Sequence, residues 1–183
     1  MSDAVPDRFA DPRGFTVAEI LVAVAIITIG CIALMTVVPI ANSALQEGKQ
    51  LSTATFLADQ KLEQAKNLPW MSTPANDCLG VSAVSTEAPT APGGTSCTNG
   101  ATNIAAAGAI PWLADEGATA ISGFPGYSRT VRITNCDAGG GCAGITDPGM
   151  RLITVSVRYT PLTAAGAAPM PKSVQVQMMV SQR

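Results

Sequence analysis

The chain has 183 residues, a formal net charge of −2, no histidine, 47% hydrophobic residues and only 13% charged ones. A near-neutral chain has no basic surplus with which to hold nucleic acid, and one without histidine can build neither a Ser-His nor a Cys-His catalytic pair. Length and composition suit one anchored domain rather than two soluble ones.

Residues 1–14 are short and polar, with Arg8 and Arg13 close to the apolar run that follows. Basic residues beside a span favour a cytoplasmic leader and an outward C-terminal domain. Asp3, Asp7 and Asp11 set this leader apart from the cationic start of a secretory signal. From Phe15 to Ile40 there are 26 residues in which Glu19 is the only charge. A bilayer core of roughly 30 Å needs about 20 mostly apolar residues in a helix, so residues 15–40 are long enough to span one. An ionised carboxylate at mid-bilayer costs about 2.5–3.5 kcal/mol, and a plain anchor has no use for it. Glu19 lies one turn inside the run, where snorkelling to the headgroups would remove most of that cost.

Arg13-Gly14 before Phe15, Glu19 four residues on, and a long Ala/Val/Ile/Leu helix together resemble the N-terminal signature of type IV prepilins. In that family a membrane aspartyl protease, the prepilin peptidase, cuts after the glycine and methylates the new N-terminus. The resemblance implies that Gly14 is the cleavage residue, Phe15 the methylated mature N-terminus and Glu19 the assembly carboxylate. It also implies a structural subunit; without histidine, and with no two carboxylates standing out as an acid/base couple, no enzyme, metal or cofactor is expected from the residues themselves. The partners would be the prepilin peptidase, the inner membrane before assembly and other pilin subunits. The spacing has a physical reading of its own, because residues four apart share a helix face and Glu19 lies beside the ammonium that cleavage creates at Phe15. A staggered neighbour could present its own ammonium to this carboxylate, and pairing offsets the cost of burying both charges.

Two other processing readings compete. Ala41-Asn42-Ser43 before Ala44 resembles a small-residue signal-peptidase site, but 26 apolar residues exceed the usual run of about 7–15. Cys31 after Ile29-Gly30 resembles a lipobox, with Thr28 where an aliphatic residue is expected; lipidation there would leave the apolar residues up to Ile40 without purpose. Cys31 is more simply a small apolar residue of the helix. Gly30 and Pro39 are the weak points of the span, since proline removes an amide donor and crowds the carbonyl of Met35. In assembled type IV pili a comparable segment melts and lets the filament stretch, which gives Gly30 and Pro39 a helix-loosening role by resemblance.

Beyond Ile40 an amphipathic half-helix is expected over 41–68. Leu51, Ala54, Ala58, Leu62 and Ala65 form one apolar stripe; Gln46, Glu47, Lys49, Gln50, Asp59, Gln60, Lys61 and Glu63 occupy the rest. Lys61 and Lys66 would moderate the repulsion between Asp59 and Glu63. Pro69 stops the helix at Asn67 or Leu68. Residues 15–68 would then form a rod of roughly 80 Å, too long for a small core, so half of it must project.

Residues 69–126, rich in small and polar residues, read as a loop region with one short helical turn near Pro111-Trp112-Leu113-Ala114-Asp115. Trp70, Ile110, Trp112 and Leu113 are its anchors against the helix. Residues 127–183 carry three alternating runs: Tyr127 to Thr134, Leu152 to Tyr159 and Val174 to Val180. Turns come from Gly139-Gly140-Gly141, Asp147-Pro148-Gly149 and the Ala/Gly/Pro stretch between Pro161 and Pro171. The expected fold class is α+β and pilin-like: a long N-terminal helix packed on a small antiparallel sheet of about three strands, with a long loop region between.

Cys78, Cys97, Cys136 and Cys142 lie beyond the anchor, and an even number in an outward domain points to disulfides. Three pairings are open. Cys78 with Cys97 and Cys136 with Cys142 are favoured because each closes a local loop in a region with little core. Neither spacing is C-x-x-C, which argues against a metal site. Asp137 and Asp147 resemble the calcium loop of major secretion pseudopilins, though turn chemistry explains them more simply. Arg129, Arg132, Arg151 and Arg158 beside Tyr127 and Tyr159 read as a solvated sheet surface rather than a DNA-binding strip.

The run Leu57-Ala58-Asp59-Gln60-Lys61-Leu62-Glu63-Gln64 leading to Leu68-Pro69-Trp70, with the terminal alternating strands, resembles minor pilins of the PilV type. Such a subunit would help initiate or assemble a type IV pilus. It would sit in the inner membrane as a single-pass protein with its head in the periplasm, and then in the pilus at the cell surface. The alternatives are a pseudopilin of a type II secretion system and a surface pilin for adhesion or DNA uptake.

Overall fold

A computed structural model describes residues 14–71, 76–92, 97–99, 102–104, 108–137, 142–161 and 170–182. The leader before Gly14, the Gly139-Gly140-Gly141 turn and most of the stretch between Pro161 and Pro171 lie outside them. The fold is α+β: one long apolar N-terminal helix, α1 (Val17–Lys66), and small antiparallel sheets. The chain divides after Ser43 into two units.

The first unit is helical from Val17 onward. Its hydroxyls are satisfied within the helix: Thr28 Oγ1 donates to the Val24 and Ala25 carbonyls at 2.8 and 2.9 Å, and Thr36 Oγ1 to Ala33 at 2.8 Å. Internal satisfaction is what a helix needs where no water is at hand. α1 is continuous through Gly30 and Pro39.

The second unit begins at Ala44 and contains the rest of α1. Four short strands follow, β1 (Thr90–Ala91), β2 (Cys97–Asn99), β3 (Thr102–Ile104) and β4 (Gly108–Ala109), then a 3-10 turn at Pro111–Leu113. β1 pairs with β4, and β2 with β3, both antiparallel. The expected loop region therefore carries two small sheets. These strands are two or three residues long and mix Thr, a good strand former, with Ala, Asn and Gly, which strands disfavour, so tertiary pairing sets them. Gly80 belongs to the same region; its φ is +65°, and a Cβ there would meet the Thr90 carbonyl oxygen at 2.4 Å, so only glycine fits.

The main sheet is a meander of β5 (Tyr127–Asn135), β6 (Met150–Tyr159) and β7 (Lys172–Ser181), in the order β5-β6-β7. Its registers run without interruption, Tyr127 opposite Tyr159 to Asn135 opposite Arg151, and Met150 opposite Ser181 to Tyr159 opposite Lys172. Alternation puts Val131, Ile133, Ile153, Val155 and Val157 on the face that meets α1, each fully buried. α1 contributes Ala54, Leu57, Ala58, Leu62 and Ala65 to the same core. Each large aliphatic side chain buried there contributes about 1.5–3 kcal/mol. Trp70, Ile110, Trp112 and Leu113 are buried in this core as well.

α1 runs in the same direction as β5 and β7. Near the start of this unit Glu47 meets Lys172, and the Tyr127 hydroxyl donates to the Gln50 carbonyl at 3.4 Å. At the far end Ala65, Leu68 and Trp70 line a small cavity with Val180 and Ser181. The rises agree, since eighteen helical residues and eight strand residues both cover about 27 Å.

Candidate functional site

The N-terminal candidate residues form one local constellation. Thr16 is the N-cap of α1: the Glu19 and Ile20 amides donate to its carbonyl at 3.0 and 3.2 Å. The Glu19 amide also donates to Thr16 Oγ1 at 3.3 Å, and the Thr16 amide to Glu19 Oε2 at 3.4 Å. This is a reciprocal capping box. Gly14 and Phe15 lie just outside the helix and are exposed. The sequence reading missed the box, although Thr16-x-x-Glu19 carries its signal.

Downstream, every large apolar side chain from Phe15 to Ile40 is 52–81% exposed in the single chain. The segment is long and apolar enough to cross a membrane. So much exposed apolar surface is not sustainable in water and has to be covered by lipid or by other helices. Cys31 is exposed on it as a free thiol.

In the head, charge is buried rather than displayed. Lys61 is 4% exposed and bonds Glu116 at 3.3 Å, which corrects its placement on the polar face of the helix. The same Glu116 accepts from Arg129 Nε at 2.5 Å, and Arg129 Nη1 donates to the Leu57 carbonyl at 2.8 Å and to Gln60 Oε1 at 3.3 Å. On the sheet's other end Arg151 forms a bidentate pair with Asp77 at 2.7 and 2.8 Å. Its guanidinium lies 4.2 Å over the Trp70 ring. Arg129 and Arg151 are therefore not a solvated surface; they occupy the core-facing phase of their strands. Arg132 faces the other way, paired with Asp115 at 2.6 and 2.9 Å. Arg158 is exposed. Among the described residues it is Lys66 that answers Glu63, at 3.3 Å, while Lys61 is taken up by Glu116.

Burial pushes the Glu116 carboxyl up, but the hydrogen bond from Arg129 and the charges of Lys61 and Arg129 outweigh it and hold the group below its ordinary value. Burial lowers the Lys61 ammonium, with Glu116 opposing and Arg129 adding to the shift. A depressed carboxyl binds its proton less readily when folded, so its stabilisation is full above the unfolded value and fades as the pH drops through the folded one. The denaturation midpoint should accordingly fall as the pH is taken below 4.5. Glu116→Gln should flatten that part of the profile; an unchanged slope would remove this carboxyl from the acid response.

Disulfides join Cys78 to Cys97 and Cys136 to Cys142, with sequence separations of 19 and 6. Loop-closure entropy gives about 3 kcal/mol for the longer loop and about 2 kcal/mol for the shorter. Replacing each pair by serines should lower the chemical-denaturation stability in that order, and the reverse order would mean that native contacts outweigh chain entropy.

The outer face of the main sheet and the segment Ser82–Thr86 enclose an open groove of about 720 Å³. Its walls mix hydroxyl, amide and guanidinium groups, among them Thr130, Thr154, Gln175 and Arg158, with the apolar side chains of Val84 and Leu152. Asp147 Oδ1 accepts from the Gly149 amide at 2.8 Å, closing a turn. Among the described residues no three His, Cys, Asp or Glu side chains come together as a metal site.

No family model matches the chain, and neither a curated protein nor a solved structure is found to be similar to it.

Proposed function

We propose that the chain is a structural filament subunit of the type IV pilin class, cut between Gly14 and Phe15, and most like a low-copy minor pilin that helps initiate or assemble the filament. The observation that carries this reading is a lone carboxylate, Glu19, one turn into a helix whose apolar side chains are otherwise uncovered from Phe15 to Ile40. Membrane and filament core are the two places where such a helix is at home, and both require the charge to be paired. Before assembly the segment holds the subunit in the inner membrane with its head outside. During assembly it moves among the helices of other subunits, where Glu19 meets a neighbour's terminal ammonium. The two disulfides of the head suit an oxidising compartment. Gly30 and Pro39 would loosen α1 only in the filament, where packing competes with its own hydrogen bonds.

The test is intact-mass and N-terminal analysis of the chain from sheared surface filaments and from washed membranes. A mature chain starting at methylated Phe15, present in trace amounts in the filaments, is the expected result. A chain starting at Ala44, or lipid on Cys31, would overturn the role of Glu19.

A further inference from the structure

Hydrogen-bonding groups on the outer face of the main sheet are spent unevenly. In register across the strands, Arg132, Thr154 and Gln177 form one row, and all of them are engaged. Gln177 Nε2 donates to Thr154 Oγ1 at 3.2 Å. Arg132 fastens the wall of the groove, donating to the Ser85 and Thr86 carbonyls at 3.1 and 2.8 Å in addition to its pair with Asp115. Ser82 ties the same wall to β5, its amide donating to the Ile133 carbonyl at 2.8 Å and its hydroxyl accepting from the Ile133 amide at 3.1 Å. The wall is thus held in place over the sheet.

The neighbouring rows are different. Thr130, Ser156 and Gln175 lie opposite one another, and beyond them Ser128, Arg158 and Ser173. None of these side chains has a hydrogen-bond or ion-pair partner among the described residues. Arg129, Arg132 and Arg151 each meet an acid, whereas Arg158 is exposed without one. Residues 162–169, which follow β6, contain no acid that could supply it. Among the described residues no carboxylate lines the groove. The unspent donors and acceptors therefore form a grid around a single cation, spaced about 4.8 Å across the strands and about 6.8 Å along them.

We propose that this groove binds an acidic oligosaccharide, whose carboxylate pairs with Arg158 and whose hydroxyls meet Thr130, Ser156, Gln175 and Ser173. Hydroxyl and carboxamide side chains both donate and accept, as every sugar hydroxyl does, so the two sets of groups satisfy each other. A guanidinium takes a carboxylate through two parallel hydrogen bonds, and Arg158 has all its donors free for that. Val84 and Leu152 offer apolar surface in the same groove for the C–H face of a ring. A nucleic acid carries a charge at every phosphate and calls for several free cations, where this floor supplies one. A peptide strand is held by its backbone at a sheet edge, whereas the groups offered here are side chains on a sheet face.

The experiment titrates the full chain, in micelles of a polyoxyethylene detergent that has no sugar headgroup, and follows its amide chemical shifts. The probes are 3′-sialyllactose and a glucuronate-containing tetrasaccharide, each beside its carboxyl-reduced counterpart. At least one acidic sugar should shift amides around Thr130, Ser156, Arg158 and Gln175, and bind at least about tenfold more tightly than its reduced form. Arg158→Gln, on an exposed position, should bring the two forms to equal affinity. Thr130→Val combined with Ser156→Ala should weaken both forms alike. No shift with either acidic sugar, shifts confined to other parts of the chain, equal affinity for the acidic and reduced forms, or discrimination that survives Arg158→Gln would each overturn the proposal. Tighter binding of a single-stranded oligonucleotide or a polyglutamate peptide would do so too, and would leave a general anion surface in its place. Cleavage at Gly14 and incorporation into filaments enter none of these readouts, so the filament reading stands or falls separately.

Discussion

Glu19→Ala is expected to leave cleavage after Gly14 intact and to abolish incorporation into filaments, with mature chain accumulating in the membrane. In a filament core the mutation leaves a neighbour's ammonium buried and unpaired, a loss of about 3 kcal/mol or more, which lowers incorporation by about a hundredfold. The capping box offers a rival explanation, since Glu19 also holds the Thr16 amide. Glu19→Gln separates the two. Glutamine at this position keeps the capping box and discards the charge. If pairing is what matters, the glutamine variant fails to assemble as completely as the alanine one. Normal incorporation of Glu19→Gln would reduce the residue to a helix cap, and the charge-pairing role would be lost. The measurement is the ratio of filament to membrane signal for each variant, with N-terminal sequencing to establish that both are processed.

Asp77→Ala should destabilise the head more than any surface change. The carboxylate and the Arg151 guanidinium are 7% and 10% exposed, and Asp77 Oδ1 also accepts from the Gly80 amide at 2.8 Å. Removing the acid strands a buried cation against Trp70 and an unmet amide, for about 3–5 kcal/mol. For a domain of this size that is a fall in melting temperature on the order of 10 °C. Arg158→Ala, on an exposed position, should change stability by no more than about 0.5 kcal/mol. Joint replacement of Asp77 by leucine and Arg151 by methionine should recover most of the loss, because a buried pair contributes little net stability over an apolar pair of similar volume. A mild effect of Asp77→Ala would mean that water reaches Arg151 in solution.

These two sites also show where the sequence could and could not be read. The helix and the three long strands follow from periodicity, and Val131, Ile133, Val155 and Val157 fall on the core face that alternation assigns them. Arg129 and Arg151 share that phase, but charge led to a surface reading. Only the acids that meet them, Glu116 and Asp77, make their burial tolerable, and those lie 13 and 74 residues away. Lys61 is the same case within the helix: it sits between Ala58 and Leu62 in the buried stripe, and its partner is 55 residues on. Leu57 belongs to that stripe too, while Leu51, counted in it, is 49% exposed. A stripe drawn at spacings of three and four has no way to see where the sheet above it ends. The two small sheets, built of strands two or three residues long, are too short to show as runs of strand formers, and pairing across the loop holds them.

The common direction of α1 and β7 has a mechanical consequence. A pull on the chain at Ala44 along the helix axis loads the contacts of Leu57, Lys61 and Leu62 with the head together, in shear, and does not peel them apart one after another. Tension arriving at Ala44 would thus meet the whole helix–sheet interface at once, and the domain would yield late.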